Sequence, residues 1–216
     1  MNHLRNLDLS LMFVTDHQID NDDQFFFILS EALAGGATII QLREKHLCGA
    51  QLYQKALKAK SLCDAANVPL IINDNVDIAL AIDCAGVHLG QRDLPIKVAR
   101  RLLGENKIIG LSVSNLKESM DSKVKLADYL GVSPLFTTAT KSEHLAKPLG
   151  LAKLAEIAQH TALPLVSIGG IDESNAAAAF EFGSAGVAVV SAISRANSPK
   201  TATQRLKQQC LIGIQQ

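Results

Sequence analysis

The sequence predicts a single-domain α/β protein of the (β/α)8 or TIM-barrel class, and three observations carry that prediction. Short apolar, β-rich runs alternate with helical stretches from Leu11 to Leu211, with no break in composition. Each run stops abruptly at polar residues, as parallel strands do where their C-terminal ends open on a shared mouth. The composition agrees: 48% of residues are hydrophobic, aromatics make up only 4% and Trp is absent, so Ala, Leu, Ile and Val must fill the core. That suits a parallel sheet covered on both faces. A length of 216 residues matches one barrel domain over 1–216, with a short polar tail, or the approach to the first strand, over about 1–10.

The first unit is Leu11-Met12-Phe13-Val14 closed by Thr15-Asp16, then a helix from Asp22-Asp23 with Phe26, Leu29 and Leu33 on its apolar face and Gly35-Gly36 as its stop. A second strand, Thr38 to Leu42, runs into Arg43-Glu44-Lys45 ahead of a long helix from about Gly49 to Ala66. Strand three, Leu70 to Ile72, ends at Asn73-Asp74. The apolar crossover Val76, Ile78, Ala79, Leu80 and Ile82 leads to strand four at Gly86-Val87, which stops at His88 with Gln91 and Asp93 beyond. Pro95 opens a helix through Val98, Leu102 and Leu103 that Gly104 ends. Strand five, Lys107 to Ser112, precedes a helix from Leu116 towards Lys125, and Tyr129 to Val132 forms strand six. After the long loop Ser133 to Lys147, a helix buries Leu151, Leu154, Ala155 and Ala158. Strand seven, Leu165 to Ile168, ends at Gly169-Gly170, with a helix from about Ser174 to Phe182. Gly186 to Val190 is strand eight, ended by Ser191-Ala192-Ile193-Ser194, and a terminal helix carrying Leu206 and Leu211 completes the count.

Lys plus Arg and Asp plus Glu number 21 each, so no basic surplus exists to attract nucleic acid or an anionic membrane. No apolar run is long enough to span a bilayer, and no apolar h-region follows Met1-Asn2-His3-Leu4-Arg5. Cys48, Cys63, Cys84 and Cys210 lack C-x-x-C spacing and read as small core fillers. A reduced, cytoplasmic setting is the expectation. Anion binding, if present, must be local.

Local anion sites are what the strand ends offer. Gln41, Arg43 and Lys45 share parity, so an extended chain points them to one side, and an Arg at an apolar strand end is costly unless an anion meets it. The competing reading is a solvated loop with ordinary surface charges. Asp74 and Asp93 close two successive strand units and should lie near one another, a pair suited to a hard cation, most simply Mg2+ with a phosphorylated substrate. Each Asp could equally cap the helix after it. The loop holding Thr137, Thr138, Thr140, Lys141 and Lys147 is long enough to act as a lid or pyrophosphate clamp, or to be a surface excursion. Gly169-Gly170 and Ser191 follow strands seven and eight, where barrels frequently bind phosphate through backbone N–H groups, although Gly-Gly alone also makes a tight turn.

QLREK at 41–45, IND at 72–74, GVHLGQRD at 86–93, GLSVS at 110–114, PLFTTATK at 134–141, SIGGI at 167–171 and VVSAIS at 189–194 together resemble the thiamine phosphate synthase (thiamine-phosphate pyrophosphorylase) family over about residues 11–194. The resemblance implies a transferase that condenses hydroxymethylpyrimidine diphosphate with hydroxyethylthiazole phosphate. Thiamine phosphate forms and pyrophosphate leaves in a dissociative, Mg2+-assisted substitution. It further implies that Gln41, Arg43, Lys45, Asn73 and Lys141 hold the diphosphate, and that Asp74 and Asp93 hold Mg2+. Ser112 would lie against the pyrimidine with His88 and Gln91 lining the same pocket, and Thr138, Thr140, Gly170, Val190 and Ser191 would take the thiazole phosphate. Arg43, Lys45, Ser112 and Lys141 would be the catalytic set. His88 reads as a packing or hydrogen-bonding group rather than a base. Small-molecule substrates are the expected partners, with neither nucleic acid nor membrane, and a homo-oligomer is compatible with the sequence. Departures from the family pattern are Ser133 before Pro134, Thr137 after Phe136, and Ser114 where a larger polar ring is common; the first two bear on loop stiffness and the third on the details of pyrimidine contact. A thiazole tautomerase-like enzyme would need the phosphate site but not the diphosphate and Mg2+ set. A non-catalytic phosphate-ligand-binding barrel is the other alternative.

Overall fold

The computed structural model describes residues 7–138 and 147–215. Eight parallel strands close on themselves in sequence order: β1 Leu11–Val14, β2 Ile39–Leu42, β3 Leu70–Asn73, β4 Gly86–Leu89, β5 Ile108–Val113, β6 Tyr129–Val132, β7 Leu165–Ile168 and β8 Gly186–Val189. Pairing of Leu11 with Val187 and Phe13 with Val189 makes the closing seam. The α-helices between strands are α1 Asp22–Gly35, α2 Gly49–Ala65, α3 Val76–Ala81, α4 Ile96–Leu103, α5 Leu116–Ser119, α6 Gly150–His160 and α7 Ala176–Glu181, and α8 Ser191–Ser194 and α9 Pro199–Ile214 follow β8.

Strand alternation divides the core into two clusters. Outward-facing Leu11, Phe13, Ile40, Leu42, Ile72, Val87, Ile109, Leu130 and Val187 pack beneath the helices. Inward-facing Met12, Ile39, Ile71, Ile108, Tyr129, Val166 and Ala188 plug the barrel, and buried Leu9 joins them ahead of β1. Above this plug the inward parity continues as Gln41, Asn73, His88 and Ser112, which bring polar groups to the C-terminal mouth.

Local signals set most boundaries. Asn21 accepts from Gln24 N at 2.9 Å to cap α1, and Gly36 at φ 98° ends it. Ser198 caps α9 ahead of Pro199 at the first helical position. Several expectations need correction. The helix predicted from Leu116 towards Lys125 is broken: α5 lasts one turn, Ser119 Oγ bonds back to Leu116 O at 2.8 Å, and Asp121 accepts from Lys123 N to start a separate 3-10 turn, Ser122–Leu126. The α7 helix begins at Ala176 rather than Ser174, because Asp172 and Asn175 spend their side chains on an intervening turn. In α1 the buried face is Phe25, Ile28, Leu29 and Ala32, with Phe26 and Leu33 only half-buried; in α6 it is Leu154 and Ile157. Leu211 of α9 is exposed, and Cys210 takes the core position. Cys63, Cys84 and Cys210 are core fillers as expected, with burial pushing the Cys63 and Cys210 thiols up to about 12, but Cys48 is exposed ahead of α2.

Candidate active site

A cavity opens at the C-terminal ends of the strands, lined among others by Gln41, Arg43, Asn73, His88, Ser112, Thr138, Gly170, Val190 and Ser191. Strands β2 and β3 supply one wall. Thr15 clasps Arg43 by accepting from its backbone N at 2.9 Å and donating to its carbonyl at 3.3 Å. The Arg43 guanidinium donates to His17 Nδ1 at 2.6 Å. Burial, then the Arg43 charge, hold the His17 imidazole below its ordinary value, so it stays a neutral acceptor. Beside them Asn73 is only 7% exposed, yet its Nδ2 has no hydrogen-bond partner among the described residues. An orphaned buried donor next to a desolvated guanidinium is chemistry prepared for an anion.

At the rim Lys45 Nζ meets Asp74 Oδ2 at 2.5 Å, and Asp93 accepts from Gly90 N at 2.6 Å. Asp74 sits at φ 65°, a left-handed conformation in which Asp is tolerated and which recurs at ligand sites. Burial, then its contact with Asp74, raise the Asp93 carboxyl above the usual carboxylate range. The two carboxylates are therefore neighbours that repel. Their number and type fit a hard cation such as Mg2+, which takes one or two protein carboxylates and completes its shell with water and substrate phosphate oxygens. Among the described residues no group of three or more His, Cys, Asp or Glu is placed to hold a metal ion.

On the β4–β6 wall, His88 Nε2 lies 2.8 Å from Ser112 Oγ and His88 Nδ1 lies 2.8 Å from the Tyr129 hydroxyl. Gln91 reaches over from the rim, donating to Ser112 O at 2.6 Å and accepting from Lys123 Nζ at 2.7 Å. Across the mouth, Gly169 and Gly170 adopt φ 103° and 66°. A Cβ on Gly169 would come within 2.8 Å of Pro134 and one on Gly170 within 2.9 Å of Phe136, so the turn requires both glycines. Asn175 Nδ2 holds the Gly170 carbonyl at 2.9 Å, and Leu135 N and Phe136 N donate to Ile168 O and Gly169 O, each at 2.9 Å. The beginning of the long loop is thus pinned to β7, with Thr138 facing the cavity.

The structure gathers the described members of the sequence-predicted set at one mouth, with Lys45, Asp74, Gln91 and Asp93 at its rim. Thr140 and Lys141 lie outside the described residues. Ser114 lies apart from the cavity lining, bonding Glu118 at 2.8 Å through its backbone N. Sequence reasoning missed Tyr129, Gly131 and His17. Parity could have found the first two, since Tyr129 and Gly131 alternate with outward Leu130 and Val132; nothing local marks His17.

Comparison with known proteins bears on the same residues. The thiamine monophosphate synthase family model matches residues 11–193. The chain is 46% identical over 207 residues to a thiamine-phosphate synthase of Alkaliphilus oremlandii, covering 96% of this chain and 98% of that one. It is 45% identical to one of Methanobrevibacter smithii, covering 94% and 96%. The solved thiamine phosphate pyrophosphorylase of Pyrococcus furiosus superposes with a TM-score of 0.87 at 35% identity, covering 96% of this chain and 98% of that one. With sequence matches of that length and the same barrel beneath them, the chain belongs to the thiamine monophosphate synthase family and is a transferase of thiamine biosynthesis.

Proposed function

We propose that the mouth joins hydroxymethylpyrimidine diphosphate to hydroxyethylthiazole phosphate by a dissociative substitution assisted by Mg2+. The observation that carries this is the pairing of two anion cradles across one cavity. Arg43 and Asn73 Nδ2, unpartnered among the described residues, lie on one side, with the glycine turn and the Val190-Ser191 turn on the other. Gln41, Arg43, Lys45, Asn73 and Lys141 hold the diphosphate; Thr138, Thr140, Gly170, Val190 and Ser191 hold the thiazole phosphate; Ser112, His88 and Gln91 line the pyrimidine pocket. Mg2+ held by Asp74 and Asp93 supplies positive charge to the diphosphate oxygens when bound.

The bond from the pyrimidine methylene to the diphosphate oxygen breaks, and its electron pair leaves with pyrophosphate. The thiazole nitrogen lone pair forms the new C–N bond. No proton is lost from that nitrogen, so the chain needs no general base. Arg43, Lys45 and Lys141 stabilise the charge growing on the leaving group, the kind of fixed electrostatics that usually dominates catalysis. The test measures pyrophosphate and thiamine phosphate together, with and without Mg2+, in wild type and Asp93→Ala. Equal amounts of both products, dependent on Mg2+ and depressed at least about a hundredfold in the variant, are expected. A folded wild type that forms neither product overturns the reading.

A further inference from the structure

The contact chain Tyr129–His88–Ser112 has a direction that the heavy atoms do not give by themselves. Two polarities are conceivable. In one, the Tyr129 hydroxyl donates to His88 Nδ1, Nε2–H donates to Ser112 Oγ, and the Ser112 hydrogen is left to point elsewhere. In the other, Ser112 donates to Nε2, Nδ1–H donates to the Tyr129 oxygen, and the Tyr129 hydrogen must find another acceptor.

Burial decides between them. Tyr129 is 1% exposed, and His88 Nδ1 is the hydrogen-bond partner found for its hydroxyl among the described residues. Burial raises the phenol far above its ordinary value, so the hydroxyl keeps its proton. The second polarity would strand that proton in the barrel interior, at the full desolvation cost of a donor. A doubly protonated His88 would strand it in the same way. Ser112 is half-buried and faces the cavity, where water or a ligand can accept its proton. The chain therefore runs outward from Tyr129.

The space around the imidazole is built for this arrangement. A Cβ on Gly131 would lie 2.8 Å from His88 Cε1, and one on Gly110 would lie 2.5 Å from His88 Nδ1 and collide with the Tyr129 ring. The ring centroids of His88 and Tyr129 are 5.5 Å apart. Two glycines on adjacent strands leave room for one ring in one orientation.

We infer that Tyr129 acts as a positioning residue that locks His88 as the neutral Nε2–H tautomer, and thereby commits the Ser112 hydroxyl to donate its hydrogen to the ligand. The ligand atom that meets Ser112 is then a hydrogen-bond acceptor without a proton of its own. This second statement rests on the proposed function, under which that atom is a ring nitrogen of the aminopyrimidine.

The lock is tested first on the ligand-free wild type by two-bond proton–nitrogen correlation of His88 at neutral pH, with His88→Gln identifying the signal. A protonated Nε2 and bare Nδ1 are expected; the opposite tautomer, or an imidazolium, overturns the lock whatever the enzyme's substrates are. The second arm is kinetic. Tyr129→Phe, which keeps the ring, should raise KM for the pyrimidine diphosphate about tenfold while leaving KM for the thiazole phosphate unchanged. Unchanged constants for both substrates, or equal losses for both, overturn the coupling to Ser112. A third arm uses pyridine analogues of the pyrimidine substrate, each replacing one ring nitrogen by C–H, as inhibitors. One analogue should bind wild type about tenfold more weakly than the parent and lose this penalty in Ser112→Ala. No such penalty for either analogue overturns the donor assignment. A wild type inactive with both substrates sinks the proposed function instead, and leaves the tautomer result standing.

Discussion

Asp93 destabilises the ligand-free mouth. Its carboxyl is raised by burial and by Asp74, so the folded state binds that proton more tightly than the unfolded chain does. The sign follows directly: its favourable contribution is fully present below the unfolded value of 3.8 and fades as pH rises through the higher folded value. Asp93→Asn should therefore melt at a higher temperature than wild type at neutral pH, with the gap closing towards pH 4, in thermal scans without divalent cation. The same variant should lose Mg2+-dependent product formation. Equal melting temperatures across that range would contradict the crowding of the two carboxylates. Gly170 supplies a second residue-scale case. At φ 66° and in contact with the 136–137 backbone, Gly170→Ala should cost about 1–3 kcal/mol in urea unfolding and raise KM for the thiazole phosphate more than KM for the pyrimidine substrate. At this scale the charged residues were legible as types, because Arg or Asp at the end of an apolar run has no core role. Parity turns Tyr129 inward but does not give its role, since an aromatic within a strand reads as packing until its hydroxyl is seen against His88.

The loop after β2 shows how an element aims its side chains. Gln41 and Arg43 face the cavity, and Glu44 between Arg43 and Lys45 points outward into the α1–α2 interface. There it meets Lys55 Nζ at 2.8 Å with both side chains buried, while that ammonium sits 3.9 Å from the centre of the Phe25 ring and 3.6 Å from Asp22. Glu44 thus holds down the segment that presents two cations to the mouth. Glu44→Gln leaves Lys55 buried with the exposed Asp22 as its remaining ion-pair partner among the described residues, and should lose about 3–5 kcal/mol by urea titration. The double variant Glu44→Met, Lys55→Met should recover much of that loss, because removing both charges removes the desolvation penalty as well. Recovery absent from the double variant would show that the pair is not the source of the cost. The same contact explains the misplaced face of α1. Phe25 joins Ile28, Leu29 and Ala32 in an i, i+3, i+4, i+7 stripe that faces the core, and the Lys55 ammonium lies over the Phe25 ring at that face. The broken helix after β5 has a comparable origin, since Asp121 and Ser119 offer the backbone local partners that a count of apolar positions does not weigh.

Across the whole molecule, the two ends of the barrel do different work. Away from the mouth, Arg100 donates to the carbonyls of Gly104, Lys107 and Leu126 and to Asp128, whose Oδ2 also accepts from Ile109 N at 2.7 Å. Arg100→Ala should cost about 3–5 kcal/mol of stability, read by urea titration, with KM values unmoved; a change in KM without lost stability would refute that division of labour. Ligand binding at the mouth should act in the opposite direction: inorganic pyrophosphate with Mg2+ at a hundred times its Kd should stabilise the whole domain by about 2.7 kcal/mol, observed as a rise in Tm. The number and order of strands, the sidedness of each strand and the residue types at the mouth were determined by the sequence alone. They depend on the alternation of apolar and polar residues within each short unit, and a parallel barrel has one way of stacking such units in order. Only the tertiary structure decided which groups meet. The Asp74–Asp93 crowding, the His17–Arg43 contact, the seat of Lys55 over Phe25 and the Tyr129–His88–Ser112 chain each join residues from different units. Their distances follow from strand register and helix rotation, which many weak packing contacts settle together and no local stretch of sequence encodes.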